Sequence, residues 1–259
     1  MQLSPSKKVY FASDFHLGAP TYDKSRVREN QICSWMEQIK PTCEALFLVG
    51  DIFDFWFEYR FAIPKGFIRL QGKIAEFTDA GIPVHFFTGN HDMWAFDYLP
   101  KELGVILHYE PFITSINGKK IFIGHGDGLG PGDYGYKRLK KIFKNRWIQA
   151  MFGFIHPNIG IGLADFLSKR SRAKSGHLDE VFLGEDKEWL IHYCREELQK
   201  ENIDIFIFGH RHLPILQQVE TAVYMNLGDW IHYFTYGVFD GEKMELLKFE
   251  PKLVTNSTI

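Results

Sequence analysis

Cysteine is scarce in this chain of 259 residues, which contains three: Cys33, Cys43 and Cys194. An odd, sparse set does not build a disulfide framework and suits a reducing compartment, where these side chains are expected to serve in packing. No cysteine lies in the polar stretches that follow the apolar segments described below. A structural zinc site, which usually draws on thiolates, is therefore not expected.

Long apolar runs are also missing. No window approaches 18 uninterrupted apolar residues, so we expect no membrane-spanning helix, and the first eight residues hold no apolar signal core. Net charge is only −2, and repeats, low-complexity tracts and linkers are lacking. Since 45% of the residues are hydrophobic, a sizeable core is available. We therefore predict a single domain over residues 1–259.

Five short apolar segments each run into Asp, Asn or His, usually directly after a glycine. Such segments are typical of buried strands, and ligands of open α/β sheets sit beyond the carboxyl ends of the strands. The polar residues at these ends are Asp14, His16, Asp51, Asn90, His125, His210 and His212. Five ends that converge on one crevice would surround it with these seven nitrogen and oxygen donors.

Seven donors are too many for one metal ion and suit two. Imidazole, carboxylate and amide ligands suit Mn²⁺, Fe or Zn²⁺. One carboxylate shared by two ions ~3.5–4 Å apart gives the geometry that clamps an in-line displacement at phosphorus. Each stretch alone has a simpler explanation, because Gly and Asn favour ordinary turns and a single histidine is often structural. The five together, in register with strand ends, favour the metal site.

The order of these motifs resembles the calcineurin-like metallophosphoesterase family. Asp-x-His, Gly-Asp, Gly-Asn-His-Asp, Gly-His and Gly-His-x-His follow one another from Asp14 to His212. The resemblance implies an α/β (α+β) fold, a β-sandwich flanked by helices. It implies that one metal is held by Asp14, His16, Asp51 and His212. It implies that the other is held by Asp51, Asn90, His125 and His210.

The resemblance also implies which residues carry catalysis. Asp51 bridges the two ions, Asn90 contacts both metal and substrate, and His91 protonates a leaving oxygen or steadies the transition state. Two cations lower the pKa of a shared water and neutralise phosphoryl charge, so no protein nucleophile is needed. We predict that His91 is not itself a metal ligand.

Residues 136–176 interrupt the alternation of strands and helices and are predicted to form a helical insertion. From Lys137 to Lys174 there are ten basic residues and one acid, against 20 basic and 31 acidic residues elsewhere. The segment therefore carries a net charge of +9 and the rest of the chain one of −11. The centre of this segment is apolar. Basic flanks around an apolar centre are typical of helices that bind an anionic membrane surface. The alternative is a charged helical hairpin docked on the domain.

Within the family, the chain most resembles the UDP-2,3-diacylglucosamine pyrophosphatases of lipid A synthesis. The resemblance rests on residues 13–17, 50–56 and 226–230, and on His125-Gly126-Asp127 continuing through Asp133 and Tyr136. It implies Mn²⁺ as the metal and a lipid-linked nucleotide as the substrate, cleaved to UMP and 2,3-diacylglucosamine 1-phosphate. It also implies a peripheral, cytoplasmic protein on the inner membrane whose inserted helical lid covers the acyl chains. No obligate protein or nucleic-acid partner is expected.

The predicted substrate contacts are Asn90, Asp133, Tyr136, Arg170, Arg172 and Lys174. The first three match motif positions, whereas the basic residues of the insertion are candidates by charge alone. One departure is His91, since that group commonly has Arg there. Two rival functions remain. One is a soluble phosphoesterase for a nucleotide, a phosphoprotein or nucleic acid, and the other is a non-catalytic metal-binding recruitment module, against which the complete ligand set counts.

The hydrophobic pattern also predicts the main elements around these motifs. It predicts helices over 26–39, with Ser25 as N-cap, and over 67–80 and 185–200. Asn117-Gly118 predicts a hairpin, and strands are expected over 215–219, 223–227, 232–239 and 243–249. The aromatic stretch from Phe53 to Phe61 is either a packed loop or an apolar wall beside the metals.

Overall fold

The computed structural model describes residues 1–132, 134–175, 182 and 184–250, with the backbone only for 165, 167 and 169–175. Its helices are α1 Tyr22–Ile39, α2 Ile68–Asp79, α3 Tyr98–Leu103, α4 Tyr134–Phe143, α5 Arg146–Gly153, α6 Pro157–Ser175 and α7 Trp189–Leu198. Its strands are β1 Lys8–Ala12, β2 Cys43–Val49, β3 Val84–Phe87, β4 Ile106–His108, β5 Phe112–Ile116, β6 Lys119–Ile123, β7 Ile205–Phe208, β8 Pro214–Val219, β9 Ala222–Leu227, β10 Thr235–Phe239 and β11 Met244–Lys248.

The strands form two sheets. The first has the order β11-β10-β1-β2-β3-β4, in which β1 to β4 are parallel and β10 and β11 are antiparallel additions. The second has the order β5-β6-β7-β9-β8, in which β6, β7 and β9 are parallel. The polar residues follow β1, β2 and β3, which are parallel in the first sheet, and β6 and β7, which are parallel in the second, so in each sheet they lie at one edge.

The two sheets pack face to face, and helices cover their outer faces. Alternation within β1 shows how: Val9 and Phe11 join a core with residues of β6 and β7, whereas Tyr10 and Ala12 join α1 and α2. On the other side, α7 packs on the second sheet through Leu190. Strands buried on both faces need apolar residues at nearly every position, which explains the continuous runs in the sequence. This confirms the predicted β-sandwich flanked by helices.

Helices α4, α5 and α6 form the insertion between β6 and α7. The aromatic stretch after β2 is mostly packed, and it also touches the insertion: the ring centroids of Phe57 and Phe152 lie 4.7 Å apart. Trp94 donates a hydrogen bond from Nε1 to the carbonyl of Phe143 at 2.8 Å. Of the described helices, none is long and apolar enough to cross a bilayer.

Three predicted boundaries were wrong for local reasons. Helix α1 starts at Tyr22, because Thr21 caps it, and the hydroxyl of Ser25 instead accepts the N–H of Gly18 at 2.8 Å. Strand β10 starts at Thr235, because the carboxylate of Asp229 accepts the next N–H groups and turns the chain. Residues 185–187 form a 3₁₀ turn ahead of α7.

Candidate metal centre

Backbone hydrogen bonds tie the polar strand ends together. The N–H of His16 donates to the carbonyl of Asp51 at 2.9 Å, which joins the loops after β1 and β2. The N–H of His210 donates to Oδ2 of Asp14 at 3.0 Å, which joins the second sheet to the first. The N–H of Gly209 donates to the carbonyl of His125 at 3.0 Å. The structure thus brings the ends of β1, β2, β6 and β7 to one place.

The side chains gather in two groups that share no residue, and a third group, His16 with Asp51 and His91, links them. Asp14, His16 and His212 form one, and their potential ligand atoms all lie within 4.8 Å of one another. Asp51 joins His125 and His210 in another such group, with 3.3 Å between Oδ2 of Asp51 and Nε2 of His125. Oδ2 of Asp51 is also 3.7 Å from Nε2 of His16. Asp51 therefore lies between the two groups, where a bridging ligand would be.

Neighbouring acceptors orient two of the imidazoles. Nδ1 of His125 lies 2.9 Å from the carbonyl of Val49, to which it donates, so Nε2 is the nitrogen that faces Asp51 and the crevice. Nδ1 of His212 lies 3.2 Å from Oδ2 of Asp229, which turns Nε2 toward Asp14 in the same way. Such outer partners fix the ring and tautomer of metal-binding histidines.

Two glycines make room for this convergence. A Cβ on Gly89 would come within 2.6 Å of the backbone nitrogen of Asp51, and a Cβ on Gly209 within 2.6 Å of Oδ2 of Asp14. Any side chain there would force the strand ends apart. At positions 89 and 209, the glycine that precedes a donor is therefore required because no side chain fits there.

The candidate ligands themselves have unusual backbone conformations. Positive φ values occur at Asp14 (55°), His16 (42°), Asp51 (53°), His210 (69°) and His212 (52°). Non-glycine residues avoid this left-handed region, which costs ~1–2 kcal/mol per residue. The chain thus bends sharply at each strand end, and this directs the side chain into the shared crevice.

Burial and neighbouring charge set the protonation of the site. Burial lowers the pKa of both His91 and His210 to about 4, so both rings are neutral at pH 7 and can offer a lone pair. Burial also disfavours charge on His125, but the carboxylate of Asp51 outweighs it and raises the pKa of His125 to about 10. Burial favours neutral Asp51, yet the His125 imidazole keeps the Asp51 pKa well below its usual range. A bound cation would take the place of the proton on His125.

Two buried atoms that make no hydrogen bond fit a cation well: Oδ1 of Asn90 and Nε2 of His125. Leaving such atoms without a partner is costly, and a metal ion would satisfy both. The donor set of imidazole, carboxylate and amide suits the ions expected from the sequence. The residues present therefore fit a metal centre, and the role of each as a ligand stays a prediction.

His91 lies at the edge of this centre. Its Nδ1 is 2.8 Å from the carbonyl of Asp54, so Nδ1 carries a hydrogen and Nε2 is free to face the crevice. His91 also groups with His16 and Asp51 within 4.8 Å, so its geometry alone does not separate a ligand from a catalytic group. The hydroxyl of Ser168 on α6 lies 3.1 Å from Oδ2 of Asp54.

The predicted substrate contacts divide into described and undescribed residues. Tyr136 lies near the centre, where its hydroxyl donates to Oδ2 of Asp127 at 2.5 Å, and Lys140 pairs with the same oxygen at 2.6 Å. Through these bonds α4 is attached to the loop that carries His125. Asp133 and the side chains of Arg170, Arg172 and Lys174 lie outside the residues that the structure describes.

The sequence interpretation missed Asp54, Asp229 and Ser168, which support the candidate ligands and His91. Asp229 follows Gly228 at the end of β9 and so repeats the Gly-Asp pattern of the other strand ends, a signal that could have been used. Asp54 lies beside His16, with 3.5 Å between Oδ1 and Nδ1. Ser168 carried no usable signal, since a serine within a helix is common.

The calcineurin-like phosphoesterase model matches residues 7–214, so the chain belongs to this family, as its motifs indicated, and is a hydrolase. A protein named UDP-2,3-diacylglucosamine hydrolase from Porphyromonas gingivalis is 35% identical over 256 residues, 94% of this chain and 98% of that protein. Its namesake from Haemophilus influenzae is 26% identical over 226 residues, 86% and 91% of the two chains. A solved archaeal phosphodiesterase is 14% identical, with TM-score 0.47 over 93% of this chain and 98% of that one.

Proposed function

We propose that the chain hydrolyses the pyrophosphate of UDP-2,3-diacylglucosamine to UMP and 2,3-diacylglucosamine 1-phosphate. One observation carries the proposal: the relative from Porphyromonas gingivalis, which is matched over nearly its whole length, bears the name of a hydrolase for this substrate. The cluster of candidate metal-binding groups supports a hydrolytic site of the family's kind.

The proposed cofactors are two divalent ions, with Mn²⁺ expected and Fe or Zn²⁺ as the other candidates. The proposed ligands are Asp14, His16, Asp51 and His212 for one ion and Asp51, Asn90, His125 and His210 for the other. Two such ions supply a hydroxide near neutral pH and charge stabilisation for phosphoryl oxygens. The same oxygen of Asp51 lies 3.3 Å from Nε2 of His125 and 3.7 Å from Nε2 of His16, which supports the bridging role proposed for this carboxylate.

His91 is the proposed acid–base residue. The carbonyl of Asp54 accepts from Nδ1–H, so Nε2 is the nitrogen that can exchange a proton with the substrate. Because burial lowers the pKa of His91 to about 4, Nε2 must take up a proton before it can give one to the leaving oxygen. A group in this role must reach the oxygen within hydrogen-bond distance, and geometry comes before pKa in such an assignment. Asn90 is proposed to contact the same phosphate through its amide.

The insertion is proposed to bind the lipid half of the substrate as a helical lid. Its exposed apolar side chains support this: Trp147 is 81% exposed, Met151 71% and Phe154 89%. These three recur at i, i+4 and i+7, so they share one face of α5. The proposed contacts to the substrate headgroup and phosphates are Asp133, Tyr136, Arg170, Arg172 and Lys174.

The same face supports a peripheral position on the cytoplasmic face of the inner membrane. Exposed aromatic and apolar side chains beside basic residues are the composition of helices that lie in an anionic membrane interface. A substrate with two acyl chains resides in that interface. The lid and the membrane contact are therefore proposed to be one surface, which receives the lipid from the bilayer.

Incubation with Mn²⁺ and UDP-2,3-diacylglucosamine in ¹⁸O-water tests the reaction. We expect UMP and 2,3-diacylglucosamine 1-phosphate, with the label in UMP if water attacks the phosphorus next to uridine. Label in the lipid phosphate would overturn that regiochemistry. An intact substrate, alongside fast cleavage of phosphomonoesters or nucleic acid, would overturn the substrate assignment and favour a soluble phosphoesterase.

A further inference from the structure

A cavity of about 150 Å³ adjoins the candidate metal centre. It is bordered by Gly128, Leu129, Pro131, Trp189 and His210. His210 is a proposed metal ligand, so a ligand that fills this cavity would lie next to the reacting phosphate. The other four residues have no role in the function proposed above, which leaves the purpose of the cavity open.

Trp189 gives the cavity a flat aromatic wall. The guanidinium carbon of Arg211 lies 4.6 Å from the centroid of the indole and covers one of its faces. Arg211 is itself held by Glu188, with bonds of 2.9 and 3.1 Å to the two carboxylate oxygens, and both residues are buried. The indole is thus held in place by this contact, so little conformational freedom is lost when a flat ligand stacks on its other face.

The facing loop is held close to this wall. Gly130 has a φ of +69°, and a Cβ there would come within 2.5 Å of the carbonyl oxygen of Trp189. Lys137 donates to the carbonyl of Gly130 at 2.5 Å, and Leu129 donates to the carbonyl of Gly126 at 3.3 Å. Three of the residues that border the cavity, Gly128, Leu129 and Pro131, belong to this loop. Their polar groups are backbone groups, chiefly carbonyls, because Pro131 has no N–H and that of Leu129 is already bonded.

We propose that this cavity binds the pyrimidine base of the nucleotide half of the substrate, stacked on Trp189. The inference rests on the proposed function, which supplies the uridine nucleotide. A cavity of ~150 Å³ can hold one six-membered ring such as benzene. A pyrimidine is a flat ring of that size, with donors and acceptors on its edge that match a backbone loop. Bases stack readily on aromatic side chains.

Comparison of UMP with ribose 5-phosphate as inhibitors tests this without the lipid substrate. The two share the sugar and the phosphate and differ by the base. Both are titrated against hydrolysis of a small generic phosphodiester by the Mn²⁺-loaded protein. In the wild type we expect UMP to bind about 5–150-fold more tightly, the range that one base–aromatic stack gives.

Two variants then assign the preference to Trp189. Trp189→Leu is expected to weaken the binding of UMP to the level of ribose 5-phosphate. Trp189→Phe keeps an aromatic ring and is expected to keep most of the preference for UMP. Tyr22→Leu is the matched control, because Tyr22 is 75% exposed on α1 and borders neither the cavity nor the metal centre. Metal content and turnover of the small phosphodiester report whether each variant is folded.

The outcomes separate this inference from the function on which it rests. Equal inhibition by the two compounds in the wild type overturns the inference and needs no variant. An unchanged preference for UMP in a folded Trp189→Leu protein overturns it as well. If the proposed function fails instead, the wild type leaves UDP-2,3-diacylglucosamine intact, whether or not it prefers UMP to ribose 5-phosphate.

Discussion

The hydroxyl of Ser168, on α6 of the insertion, lies 3.2 Å from Nδ1 of His91, on the loop after β3. The two residues are 77 positions apart in the chain, yet the insertion touches the residue proposed to act on the leaving group. Asp54 completes the contact, because its carbonyl accepts from His91 and its carboxylate from Ser168. The hydrogen bonds of Ser168 and Asp54 therefore connect helix α6 to His91.

Ser168→Ala is predicted to lower kcat/KM for acylated substrate about 2–12-fold, as expected for loss of a hydrogen bond worth ~0.5–1.5 kcal/mol. The turnover rate on a small phosphodiester should stay unchanged, because the carbonyl of Asp54 still accepts the hydrogen bond from His91. Steady-state kinetics on both substrates checks this. Ser34→Ala is the control, because the hydroxyl of this helical serine donates to the carbonyl of Asn30 within α1, away from His91. Equal losses on the two substrates would mean that Ser168 acts on His91 directly.

Asp51 and His91 are predicted to separate metal binding from turnover. Asp51→Ala should lose both metal and activity, because it deletes the carboxylate between the two side-chain groups. His91→Ala should keep its metal and lower kcat by ~10²–10⁴, the usual range for lost acid–base help. Elemental analysis beside kinetics checks both. Loss of metal from the His91 variant would make this residue a ligand.

Asp229→Asn is predicted to weaken metal binding or activity by about 10–100-fold, the usual effect of removing an outer partner of a metal-binding histidine. Oδ1 of Asp229 accepts three backbone N–H groups, so in the variant the amide oxygen is expected to stay there and the NH₂ group, a donor, to face Nδ1 of His212. Metal titration and kcat provide the measurement. His232→Ala is a close control, because Nδ1 of His232 lies at the same 3.2 Å from the same oxygen, but on the exposed side. A similar loss in both variants would point to general damage.

Glu188→Ala is predicted to lower the free energy of unfolding by ~3–5 kcal/mol, because it leaves the buried charge of Arg211 without its carboxylate. Urea denaturation with metal removed gives the value directly. Lys101→Ala removes an exposed pair with Asp97 and should leave the free energy of unfolding nearly unchanged, because solvent screens such a pair. A small effect at Glu188 would show that Trp189 and solvent compensate.

The double variant Trp147→Ser with Phe154→Ser is predicted to weaken binding to anionic vesicles by at least ~10-fold, since each buried apolar side chain is worth ~1.5–3 kcal/mol. Binding of the wild type should also fall with salt, because charges are screened within ~8–10 Å at physiological ionic strength. Vesicle sedimentation measures both. Val27→Ser with Ile113→Ser removes exposed apolar side chains elsewhere and should bind as before. Salt-independent binding would argue against an anionic surface.

The candidate centre could be predicted because each of its residues directly follows an apolar strand. Parallel strands bring their carboxyl ends to one edge, so Asp14, Asp51 and Asn90, which follow β1, β2 and β3, could be expected to meet before any coordinates were known. Their outer partners could not be found this way. Nothing in the sequence measures the distance from Ser168 to His91, since that distance depends on how three inserted helices pack.

Local hydrogen bonds that override the hydrophobic pattern, and the shortness of some elements, explain the predictions that failed. A helix pattern placed the start of α1 at residue 26, but Thr21 caps the backbone one turn earlier. The apolar residues after His232 suggested a longer strand, yet one carboxylate collects three N–H groups and bends the chain. Helix α3 and strand β4 were missed because they are short, with six and three residues.

The left-handed backbone of the candidate ligands has a consequence for how such a chain can change over generations. Glycine adopts that conformation without steric strain, so His212→Gly would ease the backbone while it deletes a proposed ligand. Backbone geometry and the proposed metal site therefore favour different residues at these bends. A lineage released from selection for activity would be free to replace Asp and His there.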